Sequence, residues 1–192
     1  MRLKTLFLPA LLLVLLAAAS PALAQNRSES WEFGPYFTYF DFDGSTEIED
    51  DWGLGFRVGY NFVPMHEVEF AMERVDTQDD IYNIIDVDVR HFQVNYLFNF
   101  ITHRRQTVVP YFTAGLGFIN FEASEPSIGS DDETDSTFIM GGGVRFFFTK
   151  EFNLRLDGRW VMYEGDNVVL ADWEDYTNFQ FSVGVGWVLG GR

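Results

Sequence analysis

The chain has 192 residues, with 29 acidic against 13 basic side chains, a formal net charge of −16 and no cysteine. That charge argues against binding nucleic acid or an anionic surface. The missing thiols exclude a disulfide scaffold and a thiolate metal site.

The N-terminus reads as an export signal. Arg2 and Lys4 precede an apolar run from Leu6 to Ala19, followed by Ser20, Pro21 and Ala22-Leu23-Ala24. A charged start, an apolar middle and a small-residue cleavage site place the cut after Ala24, with residues 25–192 as the mature domain. The run is short for about 30 Å of hydrocarbon, so it is not read as a membrane anchor. Losing Arg2 and Lys4 takes the mature chain to about −18. No later apolar run is long enough for a membrane helix, yet 18% of the residues are aromatic.

Beyond the signal the sequence alternates with period two eight times over. The first predicted strand, Trp31 to Phe40, puts Trp31, Phe33, Phe37 and Tyr39 on one face. The second, Trp52 to Phe62, sets its apolar members against Gly53, Gly55, Arg57, Gly59 and Asn61. Glu67 to Arg74 sets Val68, Phe70 and Met72 against Glu67, Glu69, Ala71 and Glu73. The fourth, running to about Phe98, opposes Phe92, Val94, Tyr96 and Phe98 to His91, Gln93 and Asn95. In the fifth, roughly Val109 to Phe118, Phe112, Ala114, Leu116 and Phe118 face away from Tyr111, Thr113, Gly115 and Gly117. The sixth, Phe138 to Phe148, groups Phe138, Met140, Val144, Phe146 and Phe148 with Gly142, and leaves Gly141, Gly143 and Arg145 opposite. The seventh sets Phe152, Leu154, Leu156, Trp160 and Met162 against Asn153, Arg155, Asp157 and Arg159. The eighth sets Phe179, Phe181, Val183, Val185, Trp187 and Leu189 against Gln180, Ser182, Gly184 and Gly186.

The predicted links are tight near 63–65, 99–107 and 149–151, and long near 41–51, 75–86, 119–136 and 163–178. Such spacing suits an antiparallel up-and-down array with both termini at the tight-turn end. A soluble lipocalin-like barrel would turn the aromatic face inward, a transmembrane barrel would turn it outward, and a sandwich would match only by chance. The polar face decides, because it is crowded with glycine. Water gives no steric reason for small residues there, whereas the lumen of an eight-stranded barrel has little room. The fold class is therefore all-β, an eight-stranded antiparallel up-and-down transmembrane β-barrel. Trp31, Tyr39, Trp52, Tyr60, Trp160 and Trp187 fall toward strand ends, where aromatic girdles belong.

Charge on the small face is nearly balanced. Glu32, Glu67, Glu69, Glu73 and Asp157 share it with Arg57, Arg145, Arg155 and Arg159. Groups enclosed away from lipid must be paired, since an isolated buried charge is very costly. These nine residues are the predicted lumen charge network, with a structural role. His91 shares the face and is read as hydrogen-bonded there, while His66 and His103 fall near tight turns.

The four long links hold 21 of the 29 acids without one lysine or arginine. Asp41, Asp43, Glu47, Glu49, Asp50, Asp131, Asp132, Glu133 and Asp135 are the candidates for weak association with divalent cations through oxygen ligands. The DFDG stretch starting at Asp41 lacks the register of a calcium loop, so no specific metal and no cofactor is expected.

The strings WEFGPYFTYF, GLGFRVGYNFVPMHEVEF, YFTAGLGFINF, LRLDGRW and NFQFSVGVGW resemble the small eight-stranded outer-membrane barrels of the OmpA/OmpX-like, porin-like family. The resemblance covers essentially the whole mature chain. It implies a Gram-negative outer membrane, insertion by the β-barrel assembly machinery, contact with lipid and lipopolysaccharide, long loops outside and termini in the periplasm. Some relatives carry an added periplasmic peptidoglycan-binding domain, which this sequence does not show after its eighth strand. Family barrels usually finish on a phenylalanine, whereas this one ends Trp187-Val188-Leu189-Gly190-Gly191-Arg192. The expectation is a monomeric structural or surface-interaction protein with a self-plugged lumen and an extracellular partner at its acidic loops. A narrow small-solute or ion channel is the alternative. A lipid-modifying enzyme ranks below both, because no histidine lies in an assignable pattern with a serine.

Overall fold

A computed structural model describes residues 27–42, 50–78, 86–103, 106–125, 129–166 and 173–191. The export signal expected over residues 1–24 lies outside the described residues. Eight strands follow in chain order: β1 (Ser30–Asp41), β2 (Asp51–Val63), β3 (His66–Gln78), β4 (Asp86–Asn99), β5 (Val108–Glu125), β6 (Gly129–Phe147), β7 (Phe152–Asp166) and β8 (Trp173–Gly190). Each pairs antiparallel with the next, and β8 closes on β1. Closure is what lipid demands, because an open edge would leave backbone donors and acceptors with no partner.

The seam between β1 and β8 keeps one register from Ser30–Gly190 to Asp41–Phe179, with the pairing interrupted across Gly34 and Pro35, while the register shift of the sheet lies between β2 and β3 at Asn61 to Val63. Pro35 has no N–H to give. Gly34 lies so close to β8 that a Cβ there would stand 1.8 Å from the Val185 carbonyl oxygen.

Outside, the alternating apolar residues form the belt. Phe37, Phe70, Met72, Phe92, Leu116 and Phe118 are all exposed. Ring pairs sit near both margins, Trp31 with Tyr60 at the tight-turn end, and Tyr39 with Trp52 and Trp160 with Phe179 at the other. The two glycines on this face, Gly142 and Gly158, are direct cross-strand partners. The end of the Phe179 ring covers the gap, 3.3 Å from where a Gly158 Cβ would be.

At the other end the structure departs from the sequence reading. β5 and β6 are 18 and 19 residues long, well beyond the roughly 9–11 that cross a bilayer. The predicted long links shrink to residues 42–50, 79–85, 126–128 and 167–172 because the strands run on into them. The reason is an inversion of faces. Within the belt, apolar side chains point out and polar ones in. Past it, with no change of phase, the outward positions become Arg74, Asp76, Asp88, Arg90, Asn120 and Glu122, and the inward ones become apolar. Phe40, Phe42, Val75, Val89, Ile119, Ile139, Val161 and Tyr163 meet there as one buried cluster. A smaller cluster of Val109, Phe147 and Val188, with Ile101 against it, lies toward the tight-turn end.

Candidate functional site

Between the two apolar clusters the lumen is polar, and its contacts form a connected network. Asp157 on β7 is the hub. It pairs with Arg57 at 2.8 Å and with Arg155 and Arg159 at 3.1 Å each, and accepts a hydrogen bond from the Tyr111 hydroxyl. Glu69 takes Arg155 at 2.6 Å and Arg159 at 2.9 Å. Toward the tight-turn end, Arg145 donates from Nη2 to Glu67 at 2.6 Å and from Nη1 to Asn99 at 2.8 Å. Its Nε lies 3.4 Å from Glu32. The four guanidiniums and their carboxylates are buried, so each charge depends on its neighbours rather than on water.

Glu73 stands apart from the expected arginine pairing. Its carboxylate is met by the Tyr36 hydroxyl at 2.9 Å and by the side-chain amides of Gln93 and Gln180. His91 Nδ1 lies 2.9 Å from it, and His91 Nε2 lies 3.0 Å from the Thr137 hydroxyl. This layer sits directly beneath the apolar cluster, with Phe40 edge-on to His91.

Glycine makes room for these side chains. A Cβ on Gly55 would strike the Tyr36 ring at 2.2 Å, one on Gly143 would strike the Tyr111 hydroxyl at 2.3 Å, and one on Gly59 would strike Glu67 Oε1 at 2.1 Å. Tyr36 in turn supports Arg57, whose Cζ lies 4.1 Å from the ring centre. Tyr111 lies under both Arg145 and Arg155. Sequence reasoning sets Tyr111 on the small face without a role in the network and leaves Tyr36 unassigned. Inward parity was the available signal, and it applies equally to Gln93, Asn99, Thr137 and Gln180.

Among the described residues the acids of the long-loop end are dispersed. Asp41 ends β1 and is exposed. Asp50 accepts the Phe42 amide at 2.9 Å and the Tyr39 hydroxyl at 3.3 Å. Asp135 lies on β6 opposite Ile119, hence on the inward parity. Asp43, Glu47 and Glu49, and the side chains of Asp131, Asp132 and Glu133, lie outside the described residues. The first rank of acids is bridged by arginines just below the links: Arg74 meets Asp76 and Asp88 at 2.9 and 2.7 Å, and Arg90 meets Asp88 and Glu122 at 3.2 and 3.1 Å. Among the described residues no group of three or more histidine or acidic side chains is arranged to hold a metal. A groove of about 630 Å³ is lined by belt residues such as Phe56, Phe70, Met72, Phe92 and Phe118, and so opens toward the bilayer.

The sequence matches the family described as outer membrane protein beta-barrel domain over residues 10–188. The chain belongs to that family. This outer-membrane barrel has the lengthened ends of β5 and β6 and the links at that end on the extracellular side and its termini in the periplasm. It is similar in fold to the N-terminal β-barrel domain of Pseudomonas aeruginosa OprF, at 15% identity over 85% of this chain and 99% of that one, with a TM-score of 0.59. Neisserial surface protein A aligns at 13% identity over 82% of this chain and 96% of that one, TM-score 0.67. The Pseudomonas aeruginosa outer membrane protein OprG aligns at 10% over 88% and 100%, TM-score 0.60. No curated protein matches the sequence.

Proposed function

We propose that this outer-membrane barrel is a closed structural scaffold that carries a strongly acidic rim to the cell exterior for surface interaction. The observation that supports closure is the tiering of the lumen, with an apolar cluster above a cross-linked charged belt, and a few apolar side chains set among the lowest charges. A narrow pore needs a continuous polar path, and the cluster around Phe40, Ile119 and Ile139 interrupts it. In this reading residues 1–24 are cleaved on export and the assembly machinery inserts residues 25–192. The belt then meets lipid and lipopolysaccharide. The rim gathers divalent cations diffusely and meets an extracellular partner.

Glu73, His91 and Thr137 have the connectivity of a carboxylate–histidine–hydroxyl triad. All three are buried in the lumen beneath the apolar cluster, where no substrate reaches the hydroxyl, so they serve packing rather than catalysis. Liposomes reconstituted with the full chain and loaded with a small sugar test the closed state. Retention at the rate of protein-free liposomes is expected, and rapid efflux would favour the channel reading.

A further inference from the structure

The periplasmic half of the lumen contains a set of buried oxygens, and with them the Arg145 Nε and the amide nitrogens of Asn61, Asn99 and Asn153, that the charge network leaves without hydrogen-bond partners. The Nε and Nη2 atoms of Arg145 face Glu32 Oε1 at 3.4 Å and Glu67 Oε2 at 2.6 Å, so two carboxylates stand side by side on one guanidinium. Arg155 reaches Glu32 only at 3.8 Å. Both oxygens of Glu32, Oε1 of Glu67, and both side-chain amide atoms of Asn61 and Asn153 have no hydrogen-bond partner. All four residues are almost wholly buried, where an unpartnered polar group is costly.

These groups converge. Glu32 Oε1 and the Asn153 amide each lie 2.7 Å from the place a Cβ on Gly186 would take, and Glu67 Oε1 lies over Gly59. Gly59 is the cross-strand partner of Glu32, and Asn61 is that of Glu67. Charge points the same way. Across the lumen, Glu32, Glu67, Glu69, Glu73 and Asp157 outnumber the four arginines by one. His91 stands between the Glu73 carboxylate, 2.9 Å from Nδ1, and the Thr137 hydroxyl, 3.0 Å from Nε2, at the other end of the lumen.

We propose that one monovalent metal cation is held between Glu32 and Glu67, with the amide oxygens of Asn61 and Asn153 as neutral ligands. Hard cations take oxygen donors of this kind. A divalent ion wants more carboxylate oxygens than two acids already shared with Arg145 supply. Val188 is the cross-strand partner of Glu32, and Phe147 is that of Asn153, so apolar side chains flank the buried place, exchange is slow and the ion enters as the barrel folds.

The test refolds the full chain from urea into detergent with sodium, potassium or rubidium chloride, and with choline chloride at equal ionic strength. At a cation concentration about 100-fold above its Kd, the folded-to-unfolded ratio rises about 100-fold over choline. Glu32→Gln abolishes that difference, whereas Glu122→Gln on the outer rim keeps it. If Glu32→Gln does not fold, Asn153→Ala, which leaves every ion pair in place, shows the same loss. Crystals grown in rubidium give an anomalous peak between Glu32 and Glu67. Equal stability in all four salts with no peak means that water alone fills the place, and it overturns the proposal. Stability that follows pH but not the cation also overturns it, by assigning the missing charge to a proton.

Discussion

Asp157 is the residue on which the charged belt should turn, and Asp157→Asn is the sharpest perturbation of it. The substitution keeps the shape and removes the charge. Arg155 and Arg159 retain Glu69 at 2.6 and 2.9 Å. Among the described residues Arg57 has Asp157 as its ion-pair partner at 2.8 Å, with the Ser182 hydroxyl and the Tyr36 ring beside it. One buried cation therefore loses its counter-charge, which costs about 3–5 kcal/mol. With a urea slope of about 2 kcal/mol/M, the unfolding midpoint falls by about 2 M. Arg57→Met alone costs less, since Asp157 still holds two arginines. The two changes together cost less than Asp157→Asn by itself, because no unpaired guanidinium remains. Equilibrium urea unfolding in detergent, followed by tryptophan fluorescence, reads all three variants. An unmoved midpoint for Asp157→Asn, or a double variant in which the costs simply add, would refute the reasoning.

Gly34→Val places a side chain against the Val185 carbonyl at the closing seam. The variant should lose the compact, heat-modifiable band on unboiled gels, and a retained band would show that the seam can spread. Phe70→Arg puts a charge on the exposed middle of the belt and should destabilise by about 2–4 kcal/mol in a lipid bilayer. The same substitution in a soluble barrel core would prevent folding altogether, so a folded but weakened protein is the distinguishing result. Ile119→Ala opens the extracellular apolar cluster and should lower stability by about 2–5 kcal/mol, measured by the same urea titration. A change below the error of that titration would mean the cluster is not packed.

The eight strands and their two faces were legible because lipid and lumen impose opposite chemistry on alternate residues. From Trp52 to Phe62, for example, every outward position is apolar and every inward one is small or polar. The extracellular halves of β5 and β6 were not legible, for the same physical reason. Past the belt water replaces lipid, so Asn120 and Glu122 point out while Ile119 turns in. A pattern whose faces have exchanged reads as loop when one continues to look for apolar residues outside. In the lumen, composition identified which charges must be enclosed but not how they are shared. Glu73 reaches a histidine, two glutamines and a tyrosine instead of an arginine, because it stands one layer above the guanidiniums. Only the strand stagger reveals that offset.

The closed lumen is tested most directly by single-channel recording of the full chain in a planar bilayer. The apolar cluster over the charged belt predicts a silent trace at all voltages that the bilayer withstands. Stable, discrete conductance steps from the purified wild-type barrel would contradict it.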